Sequence, residues 1–199
     1  MNDTFVAVDI ETTGLSPLKD RIIEIGALKV VEGTVTAEFN QLINPLIPIT
    51  DRISLLTGIT DELVTDAPDI TKVLKDFSEF AGDLPILGHN VLFDYSFLKV
   101  NFMDLDIPYE RKGIDTLKLS RILHSDFNSK SLISMCKYYG IYNEHAHRAL
   151  DDAKAAYELY CKLKNKFNQQ VPEYFTEEPL IYKIKKREPI TPRQKNYLN

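Results

Sequence analysis

An apolar run, Phe5 to Val8, ends in Asp9 and Glu11, two carboxylates separated by one isoleucine. In an extended strand alternate side chains share a face, so these two project together, with Phe5 and Ala7 behind them. Like charges held a few ångströms apart repel unless a cation lies between them or one takes up a proton. The pair therefore asks for a divalent metal or for acid/base work. Asp94 falls three residues after Val91 and four before Leu98, on the apolar side of a helix over 91–102. Farther on, Ala149, Ala153, Ala156 and Tyr160 form a helical stripe that Asp152 borders, whereas Asp151 clusters with Lys154 and Glu158 toward solvent. Asp9, Glu11, Asp94 and Asp152 together are four oxygen donors with no cysteine, a set that suits Mg²⁺ or Mn²⁺ better than zinc. Two such ions roughly 3.5 to 4 Å apart stabilise both the attacking and the leaving oxygen of an in-line phosphoryl displacement. His147, five residues before Asp152, can act as general base beside them, because imidazole titrates near neutrality. The chemistry implied is phosphodiester hydrolysis.

These groups need a scaffold, and the apolar patterning predicts one. Residues 4–11, 21–31 and 34–43 read as strands in an antiparallel meander, the last two joined at Glu32-Gly33. Two short helical turns follow at 51–56 and 60–63, with Thr50 and Thr60 as caps, and then a helix over 70–81. Strands at 85–88 and 113–116 alternate with helices at 91–102, 117–123, 132–139 and 149–167, with Gly140 closing the helix before it. A meander followed by strands alternating with helices predicts an α/β fold with a mixed sheet flanked by helices. Past residue 168 the composition changes: Gln169 to Pro192 holds four prolines, and Lys183, Lys185, Lys186 and Arg187 form a basic cluster. This stretch reads as an arm, and Thr191-Pro192-Arg193-Gln194 as the capped start of a short terminal helix. The expected division is thus 1–168 for the chemistry and 169–199 for the arm.

At 199 residues the chain has room for one ordinary domain, and its 44% hydrophobic and 27% charged residues exclude fibrous and disordered classes. Neither a leader-like start nor an apolar run of membrane-spanning length is present, so a cytoplasmic protein is expected. Cys136 and Cys161 lack the spacing of a zinc site or a disulfide framework and read as reduced thiols. His124 reads as a surface residue. The net charge of −5 disfavours nucleic acid at first sight. Its distribution weakens the objection: residues 1–168 hold 18 basic and 25 acidic side chains, a balance of −7, and residues 169–199 hold 6 and 4, a balance of +2. Acids gathered as metal ligands are compatible with a phosphate substrate.

Three stretches, DIETTGL at 9–15 continued by DRIIEIGA at 20–27, HNVLFD at 89–94 and HRALDD at 147–152, resemble the DEDDh 3′→5′ exonucleases. That family includes the proofreading exonuclease of bacterial replicative DNA polymerase III, and the resemblance covers residues 4–167. It implies a ribonuclease-H-like fold, two divalent ions at Asp9, Glu11, Asp94 and Asp152, and His147 as base. Release of 5′-mononucleotides from a single-stranded 3′ end would follow, with DNA favoured and a polymerase or another replication or repair protein as partner. Thr12, Thr13 and Gly14 would meet the terminal nucleotide and Leu15 would wedge the last two bases apart, an apolar contact that tolerates any sequence. His89, Asn90 and Phe93 would add substrate contacts. Asp115 takes a capping role, not a metal.

Three alternatives stand beside this. An RNA 3′-end trimming enzyme would carry the same catalytic motifs, because discrimination rests on the 2′-OH. A phosphatase working through an aspartyl phosphate wants aspartate where Glu11 stands and a lysine motif that is missing. A non-catalytic nucleic-acid-binding module would show lost ligands, yet all four carboxylates and the histidine are present.

Overall fold

The computed structural model describes residues 3–143 and 146–184. Its centre is strand β1, Phe5–Thr12, in which nearly every residue is buried. Burial on both sides follows from alternation: Phe5 and Ala7 enter one apolar cluster, Val6, Val8 and Ile10 the other. Strands β2 (Ile22–Val31) and β3 (Thr34–Leu42) complete an antiparallel meander. Their turn places both Glu32 (φ 52°) and Gly33 (φ 78°) in the left-handed region, as tight hairpins require.

Two short helices, α1 (Asp51–Thr57) and α2 (Asp61–Val64), lead into α3 (Ile70–Ala81). Strand β4 (Ile86–Gly88) then pairs parallel to β1, and helix α4 (Val91–Asp104) follows it. Strand β5 (Lys112–Asp115) lies parallel to β4, and α5 (Thr116–Leu123), α6 (Leu132–Tyr139) and α7 (Ala149–Phe167) complete the helices. Helices α3 and α4 pack on the Val6 face, and α5 to α7 on the Phe5 face. Among the described residues no helix is long and apolar enough to cross a membrane.

The mixed sheet and its flanking helices match the patterning, and the bounds of α3, α6 and α7 are those the helical period predicts. Three details differ. Thr50 and Thr60 occupy the N-cap positions of α1 and α2, but neither side chain caps the helix. His124 is buried, not at the surface: its ring stacks on Phe127 at 4.5 Å and Nε2 lies 2.5 Å from the Tyr139 hydroxyl. The packed body also continues past residue 168. Pro172–Phe175 forms a 3₁₀ turn that buries Phe175, and β6 (Glu178–Pro179) adds an edge strand antiparallel to β5. The sheet order is therefore β3-β2-β1-β4-β5-β6. Lys185, Lys186, Arg187 and the expected terminal helix lie outside the described residues. Both cysteines are free thiols.

Candidate active site

The register of β1 on β2 builds the floor of the site. Phe5 faces Val30, Ala7 faces Leu28, Asp9 faces Gly26 and Glu11 faces Glu24, so one sheet face runs from apolar pairs to carboxylates. Helix α7 lies along this face, and its alanines let it approach closely. A Cβ on Gly26 would fall 2.1 Å from the Leu150 backbone nitrogen, so only glycine allows the first turn of α7 to rest on β2. That seating brings Asp152 over Glu11.

Asp94 arrives from the opposite side. Strand β4 ends at Gly88, level with the middle of β1, and leaves the Ile10 N–H beyond it without a strand partner. The Asp94 carboxylate, at the start of α4, accepts that N–H at 3.1 Å. The aspartate on an apolar helix face thereby satisfies a buried donor and reaches the end of β1. Asp152 is held as firmly: Asn143 Nδ2 donates to Oδ1 at 2.6 Å and the His147 N–H to Oδ2 at 3.1 Å. His147 has a left-handed backbone, φ 69°. Candidate ligand atoms of Glu11, His147 and Asp152 lie within 4.8 Å of one another. Asp9 and Asp94 are not part of that grouping, but both interact electrostatically with Glu11, and Asp9 also with Asp152.

The charges confirm how crowded the site is. Burial pushes the Asp9 carboxyl well above its ordinary range, and Asp94, Asp152, Glu11 and Glu24 push it further. Glu11 is raised to about 8 by burial, then by Asp152 and Glu24, against a downward pull from Arg148. Burial raises Asp94, with the Ile10 N–H opposing, and raises Asp152, with Asn143 and the His147 N–H opposing. Ionising all four carboxylates so placed is costly without cations. Hard oxygen donors gathered in one pocket suit divalent cations, and the residues present fit such ions.

A groove of about 410 Å³ opens beside Glu11. Its near wall is Thr12, Thr13, Gly14, Leu15 and Phe93; its far wall is Arg52, Ile53 and Leu56 of α1. The loop is self-braced, since Thr12 Oγ1 donates to the Gly14 carbonyl at 2.6 Å and Thr13 Oγ1 accepts the Arg21 N–H at 2.9 Å. A Cβ on Gly14 would collide with the Asp20 carboxylate at 2.5 Å. Leu15 is left 84% exposed at the lip, a large apolar side chain with nothing to cover it.

Two expected substrate contacts, His89 and Asn90, do not line this groove. His89 has both ring nitrogens engaged, Nδ1 with Thr116 Oγ1 at 2.9 Å and Nε2 with the Lys130 carbonyl at 2.8 Å, so it is a strut between β4, α5 and a loop. Asn90, with φ 74°, turns the chain into α4, and its N–H donates to Asp115 Oδ1 at 3.0 Å. Asp115 also caps α5 through Leu117 N and Lys118 N, in keeping with a structural role. Residues without a role in the sequence are the α1 wall, Asn143, Gly26, and the pair Glu24 and Arg148. The pair has a faint signal, a glutamate in a strand otherwise apolar, but its partner depends on long-range register.

Comparison with known proteins places this geometry. The RNase_T family model, described as exonuclease, matches residues 6–160. A DNA polymerase III PolC-type from Caldanaerobacter subterraneus subsp. tengcongensis is 42% identical over 165 residues, 83% of this chain and 12% of that protein. The chain thus spans about an eighth of the length of that relative. The E. coli exonuclease I–ssDNA complex in its zinc-bound form superposes with TM-score 0.75 at 21% identity, covering 87% of this chain and 43% of that one. The nuclease domain of 3′hExo, a DEDDh family member bound to rAMP, superposes with TM-score 0.73 at 20% identity, covering 90% and 98%.

Proposed function

The chain belongs to the exonuclease family whose model it matches over residues 6–160, and from that premise we propose that it is a metal-dependent 3′→5′ exonuclease acting on single-stranded DNA ends. Its products are nucleoside 5′-monophosphates and its setting is proofreading or repair in the cytoplasm. The family resemblance carried by its three motifs is met, and its mixed sheet is the ribonuclease-H-like sheet of the solved exonucleases. One observation carries the proposal: Glu11, His147 and Asp152 converge within 4.8 Å at the end of a groove whose lip is the exposed Leu15.

Asp9, Glu11, Asp94 and Asp152 would hold two divalent ions, which supply positive charge to the attacking and leaving oxygens when bound. His147 takes a proton from water as its oxygen bonds to phosphorus. The bond to the 3′ oxygen of the preceding nucleotide breaks, and the departing nucleotide keeps its 5′-phosphate. Thr12 to Leu15 and Phe93 would hold the terminal nucleotide, the apolar lip contacting base faces without regard to sequence. The PolC-type relative supports work beside a polymerase, and the neighbour bound to rAMP keeps RNA as the second substrate.

Single strands labelled at either end, supplied with Mg²⁺ or Mn²⁺ as matched DNA and RNA, test this. Immediate mononucleotide release from the 3′ label and a shortening ladder from the 5′ label are expected. No release, or release unaffected by Asp9→Ala, would sink the proposal, and faster loss of RNA would reverse the substrate assignment.

A further inference from the structure

Glu24 is a charged side chain at 1% exposure, directly opposite Glu11 on β2, yet it does not share the carboxylate pocket's task. Both of its oxygens are committed to the start of α7. Oε1 accepts from Arg148 Nη2 at 2.6 Å and Nε at 3.2 Å; Oε2 accepts from Arg148 Nε at 3.1 Å and from the Ala149 N–H at 2.9 Å. Arg148 is the N-cap residue of α7 and offers no side-chain cap of its own. The Ala149 N–H, an orphan donor of the first turn, is instead capped from another strand. One pleat along the same face, Gly26 leaves room for the backbone of Ala149 and Leu150.

We propose that Glu24 is a positioning residue: its fork to Arg148 and Ala149, together with the seat at Gly26, fixes the left-handed His147 between Glu11 and Asp152. This rests on the exonuclease reading with His147 as base. His147 is tied on one side by its N–H to Asp152 Oδ2. Its other side is the Arg148-Ala149 backbone, which the Glu24 carboxylate hydrogen-bonds to the sheet beside the close packing at Gly26. A left-handed non-glycine residue persists when its surroundings over-determine it, and here two anchors one residue apart do so. With both oxygens engaged by N–H groups, Glu24 is not a fifth ligand. Arg148 keeps its side chain 40% exposed, so its role is separable from Glu24's burial.

The experiment uses the full chain and a 3′-labelled DNA strand, with His147→Ala as the second background. Glu24→Gln leaves Ala149 only a neutral, weaker acceptor and loses the charged fork. It is expected to lower kcat roughly 10- to 100-fold, the scale for small misplacement of a catalytic group, with KM within about twofold. In the His147→Ala background the same change is expected to cost under about twofold, because a residue that acts through His147 has nothing left to place. Amide exchange at Ala149 in the metal-free protein is expected to rise at least about tenfold. Arg148→Lys, at a half-exposed position, keeps the charge without the fork and is the second variant should Glu24→Gln not fold. It is expected to reproduce the kcat loss and the non-additivity. Equal losses in both backgrounds, a rise in KM with kcat unchanged, or unaltered Ala149 exchange would overturn the inference. Wild-type protein that releases no nucleotide would instead overturn the exonuclease reading, and wild-type cleavage matched by Glu24→Gln would remove only the positioning role.

Discussion

The crowded carboxylates make the stability of the metal-free protein fall as pH rises, the reverse of the usual carboxylate behaviour. Glu11 has an ordinary value of 4.5 and stands at about 8 in the fold. Between those values the folded state holds a proton that the unfolded state has lost. Stability therefore declines with pH through that window, by about 1.4 kcal/mol per unit for one such proton. Full development of the Glu11 shift corresponds to a ceiling of about 5 kcal/mol at about 1.36 kcal/mol per unit. Asp9 and Asp94 are also raised, so the cluster's slope is at least that of one proton. For a chain of this size, 1.4 kcal/mol corresponds to a Tm shift of roughly 3 to 6 °C. Thermal unfolding followed by circular dichroism in EDTA, from about pH 5.5 to about pH 7.5, should thus show a drop of roughly 6 to 11 °C. Saturating Mn²⁺ is expected to bind the ionised site, raise Tm by mass action and flatten the slope. Asp9→Asn removes one of the competing charges and should make the metal-free protein more stable at the alkaline end while abolishing cleavage. A metal-free Tm that is constant or rises across the window would refute the reasoning, because the four side chains would then be ionising independently.

Asp152→Asn should reduce kcat by about a thousandfold or more, and Asp151→Asn by less than about threefold, in steady-state nucleotide release, because only Asp152 borders Glu11 and His147. Leu15→Ala should leave the urea midpoint within the equivalent of about 0.5 kcal/mol, since the side chain is 84% exposed. The same change should lower kcat/KM on single strands by roughly 5- to 100-fold, the scale of a lost apolar contact with a base. Gly26→Ala forces a methyl to 2.1 Å from the Leu150 nitrogen and should lower stability by about 2 kcal/mol or more in denaturant unfolding.

Local elements were legible because their signals are local. The period of 70–81, the Gly140 stop and the apolar run before Asp9 each depend on neighbours within a few residues, and α3, α6 and β1 follow them. The burial of His124 escapes a local reading because it depends on the rings of Tyr139 and Phe167, contributed by α6 and α7. His89 stands in a motif, yet its partners are 27 and 41 residues away in sequence, and they turn it from the groove into a strut. The arm beyond residue 168 lacks a period because a two-residue edge strand and one 3₁₀ turn are too short to show one.

By itself the sequence determined the donor types, two carboxylates on one strand face, two aspartates and a histidine at helix starts, and the secondary structure that carries them. Only the tertiary structure decided which of these meet. The register that sets Glu11 against Glu24, the short β4 that frees the Ile10 N–H for Asp94, and the glycine that lets α7 settle over β1 and β2 are all long-range contacts. Like charges do not assemble by mutual attraction, so the site exists because apolar packing of strands and helices forces its carboxylates together.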